Sequence, residues 1–139
     1  MTEYAKQLPV ITSSDKPFWD AARRHELLAY RCLSCGTFYS QVTQCLACDS
    51  PRMDWVRVSG KGFVYTFAVY HQLYHPAWAK DIPYNVAWIK LDEGPLLLSN
   101  VIGCPNDEIT VGLRVEVVFD DVTDEVTLPR FRPSAVKTD

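Results

Sequence analysis

Four cysteines between positions 32 and 48 constrain this chain more than any other feature. Cys32-Leu33-Ser34-Cys35 and Cys45-Leu46-Ala47-Cys48 are two CxxC pairs separated by nine residues. A CxxC pair sets two thiolates on one tight turn, so both sulfurs reach a single ion. Two such turns facing each other supply the four-sulfur tetrahedron that structural zinc takes. The spacing therefore predicts a zinc ribbon holding one structural Zn2+ per chain through Cys32, Cys35, Cys45 and Cys48. A four-thiolate shell leaves no open coordination position, so the metal holds the fold and does no chemistry. Disulfide pairing is the competing reading. It is disfavoured because Met1-Thr2-Glu3-Tyr4 lacks the basic and apolar regions of a signal peptide. The expected compartment is the cytoplasm, where thiols stay reduced.

The chain has 139 residues, 47% hydrophobic and 22% charged, which suits an ordinary globular protein with a modest core. No apolar run approaches the roughly 18 residues of a membrane helix. Charge is uneven: residues 1–62 carry eight Lys/Arg against six Asp/Glu, and residues 63–139 carry six against eleven. Nucleic-acid affinity comes largely from phosphate neutralisation, so the acidic second half counts against that partner.

Along the chain, residues 1–13 read as an extended arm. Ser14 or Asp15 can cap a helix with Pro17 in its first turn. Phe18, Trp19, Ala22 and His25 recur at helical spacing, giving one short helix over about 15–25. Its aromatic pair can pack on the ribbon or dock on a partner. Leu27 to Arg31 reads as the first ribbon strand, Gly36 follows the first knuckle where positive φ is useful, and Phe38 and Tyr39 cover the metal site. Ser59-Gly60-Lys61-Gly62 marks the module boundary. Beyond it the pattern is wholly β, beginning with the period-2 run from Phe63 to Tyr70. Tyr84 to Leu91 and Leu96 to Ile102 flank the Asp92-Glu93-Gly94-Pro95 turn, and Arg114 to Phe119 and Val126 to Phe131 complete five strands. The expected fold is mainly β: a short N-terminal helix, a rubredoxin-like zinc ribbon, then a five-stranded OB-fold barrel. The expected divisions are an arm and helix over 1–26, the ribbon over 27–60, the OB-fold over 61–133 and a tail over 134–139.

These features in this order resemble a known family. Phe18-Trp19, His25-Glu26-Leu27, Arg31-Cys32 with the two knuckles, Trp55, Ser59-Gly60-Lys61-Gly62, Pro83-Tyr84, Leu91-Asp92-Glu93-Gly94, Val111-Gly112 and Phe131-Arg132-Pro133 are similar to the zinc-ribbon plus OB-fold proteins formerly grouped as a domain of unknown function. The resemblance runs from about Phe18 to Pro133. It implies a small acyl-CoA-binding accessory subunit that docks on a thiolase-like enzyme, in a hetero-oligomer. Such pairs work on carbon–carbon bonds of CoA thioesters by retro-aldol cleavage, Claisen condensation or acyl transfer, some of them in sterol or lipid side-chain degradation. A CoA thioester is thereby the implied ligand. Members commonly carry proline and arginine just before the second knuckle, where this chain has Ser40-Gln41-Val42. The resemblance therefore carries no ligand contact from that segment.

Beside the metal, the richest feature is the aromatic and proline connection over about 71–83. Tyr74, Trp78 and Tyr84, with Pro76 and Pro83, either cap the barrel end or line an acyl-chain or partner groove. Lys61, Arg130 and Arg132 are candidates to meet CoA phosphates, because guanidinium forks match phosphate oxygens. Cys104 reads as a buried free thiol with no base beside it in sequence. His71 and His75 read as loop residues or partner contacts. No nucleophile–base pair points to a self-sufficient hydrolase, and no catalytic residue is assigned. The alternative function is a single-stranded nucleic-acid module, in which aromatics such as Phe63, Tyr65 and Phe67 would stack on bases.

Overall fold

The computed structural model describes residues 9, 11–39, 44–71, 76 and 82–134. The α-helix α1 (Lys16–Arg23) follows Asp15 with Pro17 in its first turn. Asp15 does not cap it through its side chain. Its carboxylate accepts instead from the amide (2.7 Å) and hydroxyl (3.0 Å) of Thr12. The helix buries Ala21 and Ala22. It ends when His25 adopts φ +61°, with the His25 amide bonded to the Ala22 carbonyl and the Glu26 amide to that of Ala21. This is a left-handed cap, normally a glycine's position. His25 therefore lies past the helix and not on its stripe, because the chain must turn there into the ribbon.

The ribbon sheet comprises β1 (Leu28–Cys32), β2 (Phe38–Tyr39) and β3 (Met53–Arg57), ordered β2-β1-β3 and antiparallel. Tyr30 stands opposite Trp55, with ring centres 4.7 Å apart, and Phe18 of α1 lies 6.2 Å from Trp55. The helix thus packs over the ribbon through Phe18.

The second sheet comprises β4 (Lys61–Tyr70), β5 (Tyr84–Leu91), β6 (Leu96–Ser99), β7 (Arg114–Asp121) and β8 (Thr127–Pro133), ordered β6-β5-β4-β7-β8. Each neighbouring pair is antiparallel. An irregularity between Val64 and Thr66 leaves Tyr65 as an extra residue and bends β4, as a bulge does. The curled sheet then meets itself where Val101 bridges Phe131 in parallel. The Phe131 amide bonds the Asn100 carbonyl at 2.9 Å, and the Ile102 amide bonds the Phe131 carbonyl at 2.7 Å. Five strands in this order, with a parallel seam, form an OB-fold. The third strand stops at Ser99 and not at Ile102, because the chain leaves β5 there to reach β8. Gly62 lets β4 and β5 close up: a Cβ on it would sit 2.3 Å from the Lys90 carbonyl oxygen.

Val64, Ala87, Ile89, Leu91, Val101, Ile109, Val115 and Phe131 form the barrel core, and Leu27, Ala29 and Val58 of the ribbon belong to the same cluster. Val115, Val117 and Phe119 share the inward face of β7. The seam has a polar clasp in Asn85, which is 6% exposed. Its side-chain oxygen accepts from the Val101 amide (2.7 Å), and its NH2 donates to the Val101 carbonyl (2.8 Å) and to Asn106 Oδ1 (2.9 Å). Asn106 in turn donates to the Pro83 carbonyl, and Asn100 to that of Asn85. Asn85→Ala strands a buried amide and carbonyl together, so it should cost about 2–3 kcal/mol by urea unfolding. A loss under about 0.5 kcal/mol would mean that the clasp carries no stability. Among the described residues no helix is long and apolar enough to cross a membrane.

Candidate functional site

The metal centre is assembled from two near-equivalent turns. In the first, the Gly36 amide bonds the Cys32 carbonyl (2.9 Å) with Gly36 at φ +82°. In the second, the Asp49 amide bonds the Cys45 carbonyl (3.0 Å) with Asp49 at φ +63°. Both turns therefore need a left-handed residue straight after their second cysteine. Gly36 was legible as such; Asp49 was not, although aspartate tolerates this conformation better than most side chains.

The four Sγ atoms lie within 4.8 Å of one another, with Cys32–Cys48 at 3.6 Å and Cys35–Cys45 at 3.5 Å. A tetrahedron of sulfurs about 2.3 Å from zinc has edges of about 3.8 Å, so the four residues fit the ion. Cys32 and Cys45 are buried, Cys35 and Cys48 exposed. The cluster is also prepared for negative charge. The Cys35 amide points at Cys32 Sγ (3.4 Å) and holds that thiol below its ordinary range. The Tyr39 hydroxyl donates to Cys45 Sγ (3.4 Å) and, with the Ala47 amide nearby, brings Cys45 down to about 6. The Ser50 amide favours a Cys48 thiolate too, but Cys32 beside it and burial outweigh this and push Cys48 up to about 12. Four thiolates do not coexist without a cation among them, and zinc bound there supplies that charge. Tyr39 also accepts from the Leu46 amide (3.0 Å), so it ties strand β2 to the second knuckle, as well as covering the metal.

The other residues singled out in the sequence scatter. Tyr74 and Trp78, like His75 and Ser40-Gln41-Val42, lie outside the described residues. Tyr84 opens β5 and stacks on Tyr70 at 5.3 Å. Arg130 is largely covered, with 16% of its side chain exposed. Its Nε donates to Asp120 (2.8 Å) and its Nη1 to Asn100 (3.1 Å), so it braces β8 against β7 and the seam. Arg132 is 55% exposed and meets Glu116 across the strand pair at 3.4 Å. Of the two arginines, Arg132 is the one whose guanidinium faces water. His71 is exposed. Cys104 is partly buried, and burial, with Glu108 and Asp107 nearby, raises its thiol, which suits an inert side chain.

Two features escaped the sequence reading. His25, placed by its left-handed turn, stacks on Phe119 (5.2 Å) and bonds Asp121 (3.0 Å), fastening the helix end to β7. The outward side of β4, β5 and β6 carries exposed Tyr65, Trp88 and Leu98. The alternation of both elements was readable, but which strands would be neighbours was not.

Known proteins match this architecture. The model described as "ChsH2, rubredoxin-like zinc ribbon domain" matches residues 19–39, and "ChsH2, C-terminal OB-fold domain" matches residues 55–120. A solved structure described as "Ltp2-ChsH2(DUF35) aldolase" superposes with a TM-score of 0.81 at 35% identity, covering 91% of this chain and 98% of that one. A "DUF35 domain-containing scaffold protein" of Methanocaldococcus jannaschii is 32% identical over 104 residues, 73% of each protein. A "Probable enoyl-CoA hydratase alpha subunit" of Thermomonospora curvata is 37% identical over 122 residues; they are 86% of this chain, which spans 38% of that relative's length. By sequence, fold and metal ligands together, the chain belongs to the ChsH2/DUF35 family of zinc-ribbon and OB-fold proteins.

Proposed function

We propose that this chain is an accessory subunit, non-catalytic or co-catalytic, that docks on a thiolase-like enzyme and supports carbon–carbon bond chemistry on CoA thioesters. The observation that carries this reading is the end-to-end likeness to a chain of the solved "Ltp2-ChsH2(DUF35) aldolase", at 35% identity over 91% of this chain. The scaffold-protein relative supports a structural role, and the hydratase-subunit relative supports CoA thioesters as the substrate class. Among the described residues, the side chains fit such a role: the thiolates serve a closed metal shell, Cys104 is held as a thiol, and Arg130 is spent on Asp120. Tyr74, Trp78, Tyr84 and Arg132 remain the residues proposed to meet the acyl-CoA or the enzyme, with Arg130 bracing β8 through Asp120.

The test is capture of the tagged full chain from its own cells, followed by assay of the recovered pair. A thiolase-fold subunit should come down in fixed proportion, and its retro-aldol or acyl-transfer turnover should fall at least tenfold when this chain is omitted. Recovery of the chain alone, together with no heat of binding to acetyl-CoA or a long-chain acyl-CoA, would sink the proposal. The nucleic-acid alternative gains no support from the geometry, since Arg114, beside the outward Phe63, is paired with Asp92, and Arg132 with Glu116.

A further inference from the structure

We infer that the outward face of β4, β5 and β6 is where the enzyme subunit docks, and that the enzyme offers there an apolar surface with a carboxylate opposite Lys90. The inference rests on the accessory-subunit reading above and names the surface it needs. Antiparallel sheets with one face on a core ordinarily turn polar residues to water on the other. Here the inward positions of β5, namely Asn85, Ala87, Ile89 and Leu91, are buried, and the positions between them point outward. Cross-strand register sets Trp88 between Thr66 and Leu98, and Lys90 between Phe63 and Leu96. The bulge pushes Tyr65 out beside them. The result is a continuous patch of Phe63, Tyr65, Val86, Trp88, Leu96 and Leu98. Tyr65 is 51% exposed, Trp88 42% and Leu98 52%.

Size and composition both suit a protein partner. Three strands about 4.8 Å apart and about seven residues long cover roughly 300 Å². That matches the patches that are functional on monomers and the core of an interface burying about 800 Å² per partner. Tyrosine and tryptophan are what such cores favour. The bulge adds a second argument, since Tyr65 leaves the ladder and bends β4, shaping the face it joins.

Charge decides which partner. The outward positions of β4, β5 and β6 hold two charged side chains, Lys61 at the start of β4 and Lys90 within the patch, and no carboxylate. The Lys90 ammonium lies 5.9 Å from the Tyr65 ring centre and donates to the Gly94 carbonyl at 3.3 Å. A second copy of this chain laid face to face would bury two such ammoniums with no acid between them, which is costly. Single-stranded nucleic acid would need several cations here. A different protein can bring a carboxylate to Lys90, and that complementarity would fix its register.

The test uses the intact zinc-bound chain and the enzyme subunit it captures, with binding measured by titration calorimetry. Trp88→Lys and Leu98→Lys should each weaken binding at least about 30-fold, the scale of an interface hot spot. Lys90→Glu should weaken it about tenfold. Leu46→Lys, at the tip of the second knuckle and off this face, serves as control and should leave affinity within about twofold. Zinc content and unfolding midpoint, unchanged in all four, keep misfolding out of the comparison. If the wild type captures the subunit and the Trp88 and Leu98 variants bind it as tightly, the docking face lies elsewhere and the accessory role stands. If the wild type captures no such subunit, both fall. A wild-type dimer in sedimentation that Trp88→Lys converts to monomer would assign the face to a second copy and overturn the inference. Oligonucleotide binding lost in the same variant would overturn it as well.

Discussion

Replacing Cys45 with serine is expected to abolish zinc binding and unfold the ribbon. The hydroxyl cannot stand in for the thiolate that the Tyr39 hydroxyl and the Ala47 amide hold in place. Structural zinc contributes on the order of 10–16 kcal/mol in small zinc-finger peptides, comparable to the whole net stability of a domain, about 5–15 kcal/mol. The ribbon also has little else: strand β2 is two residues long, and β1 and β3 are five each. Loss should spread further, because Leu27, Ala29 and Val58 share one core with Val64 and Phe131. Metal analysis of the wild type should give one zinc per chain, and none for the variant. Chelation of the wild type should reproduce the variant's loss of near-ultraviolet dichroism. A metal-free chain with native dichroism and an unchanged unfolding midpoint would refute the assignment.

Phe131→Ala is expected to be the most damaging substitution away from the metal, at about 3–5 kcal/mol. Its side chain is fully buried, and its backbone carries the seam, bonding Asn100 and Ile102 while Val101 lies alongside. Removing the ring opens a cavity where the curled sheet meets itself, so the seam loses packing on the strand that closes it. Phe131→Leu, which keeps most of the volume, should cost under about 2 kcal/mol. Urea unfolding with zinc present reads both. An alanine variant that loses less than about 1 kcal/mol would show that the seam is not held by this side chain.

Much of the architecture was legible because its causes are local. The CxxC turns, the Asp92-Glu93-Gly94-Pro95 hairpin and the alternation in β4 are set by residues within a few positions of one another. His25 was misread for the same reason. Helical spacing continues through it, but the chain's need to turn into β1 puts it in the left-handed region and sends its ring to Phe119 and Asp121. Asn85 looked like one polar residue in a strand of β formers. The three hydrogen bonds of its side chain reach two residues, 16 and 21 positions away, so nothing nearby announced the clasp. Arg130 and Arg132 looked alike at i and i+2. Register sets Arg130 opposite Val118, within reach of Asp120, and Arg132 opposite Glu116, which leaves one spent and one facing water.

The sequence by itself determined the metal, its four ligands and the family, because sulfur spacing and strand periodicity are short-range properties. Only the tertiary structure decided where the barrel closes and which outward side chains become neighbours. Trp88, Tyr65 and Leu98 are separated in the chain by turns and a long connection. Cross-strand pairing alone turns three unremarkable exposed residues into one surface.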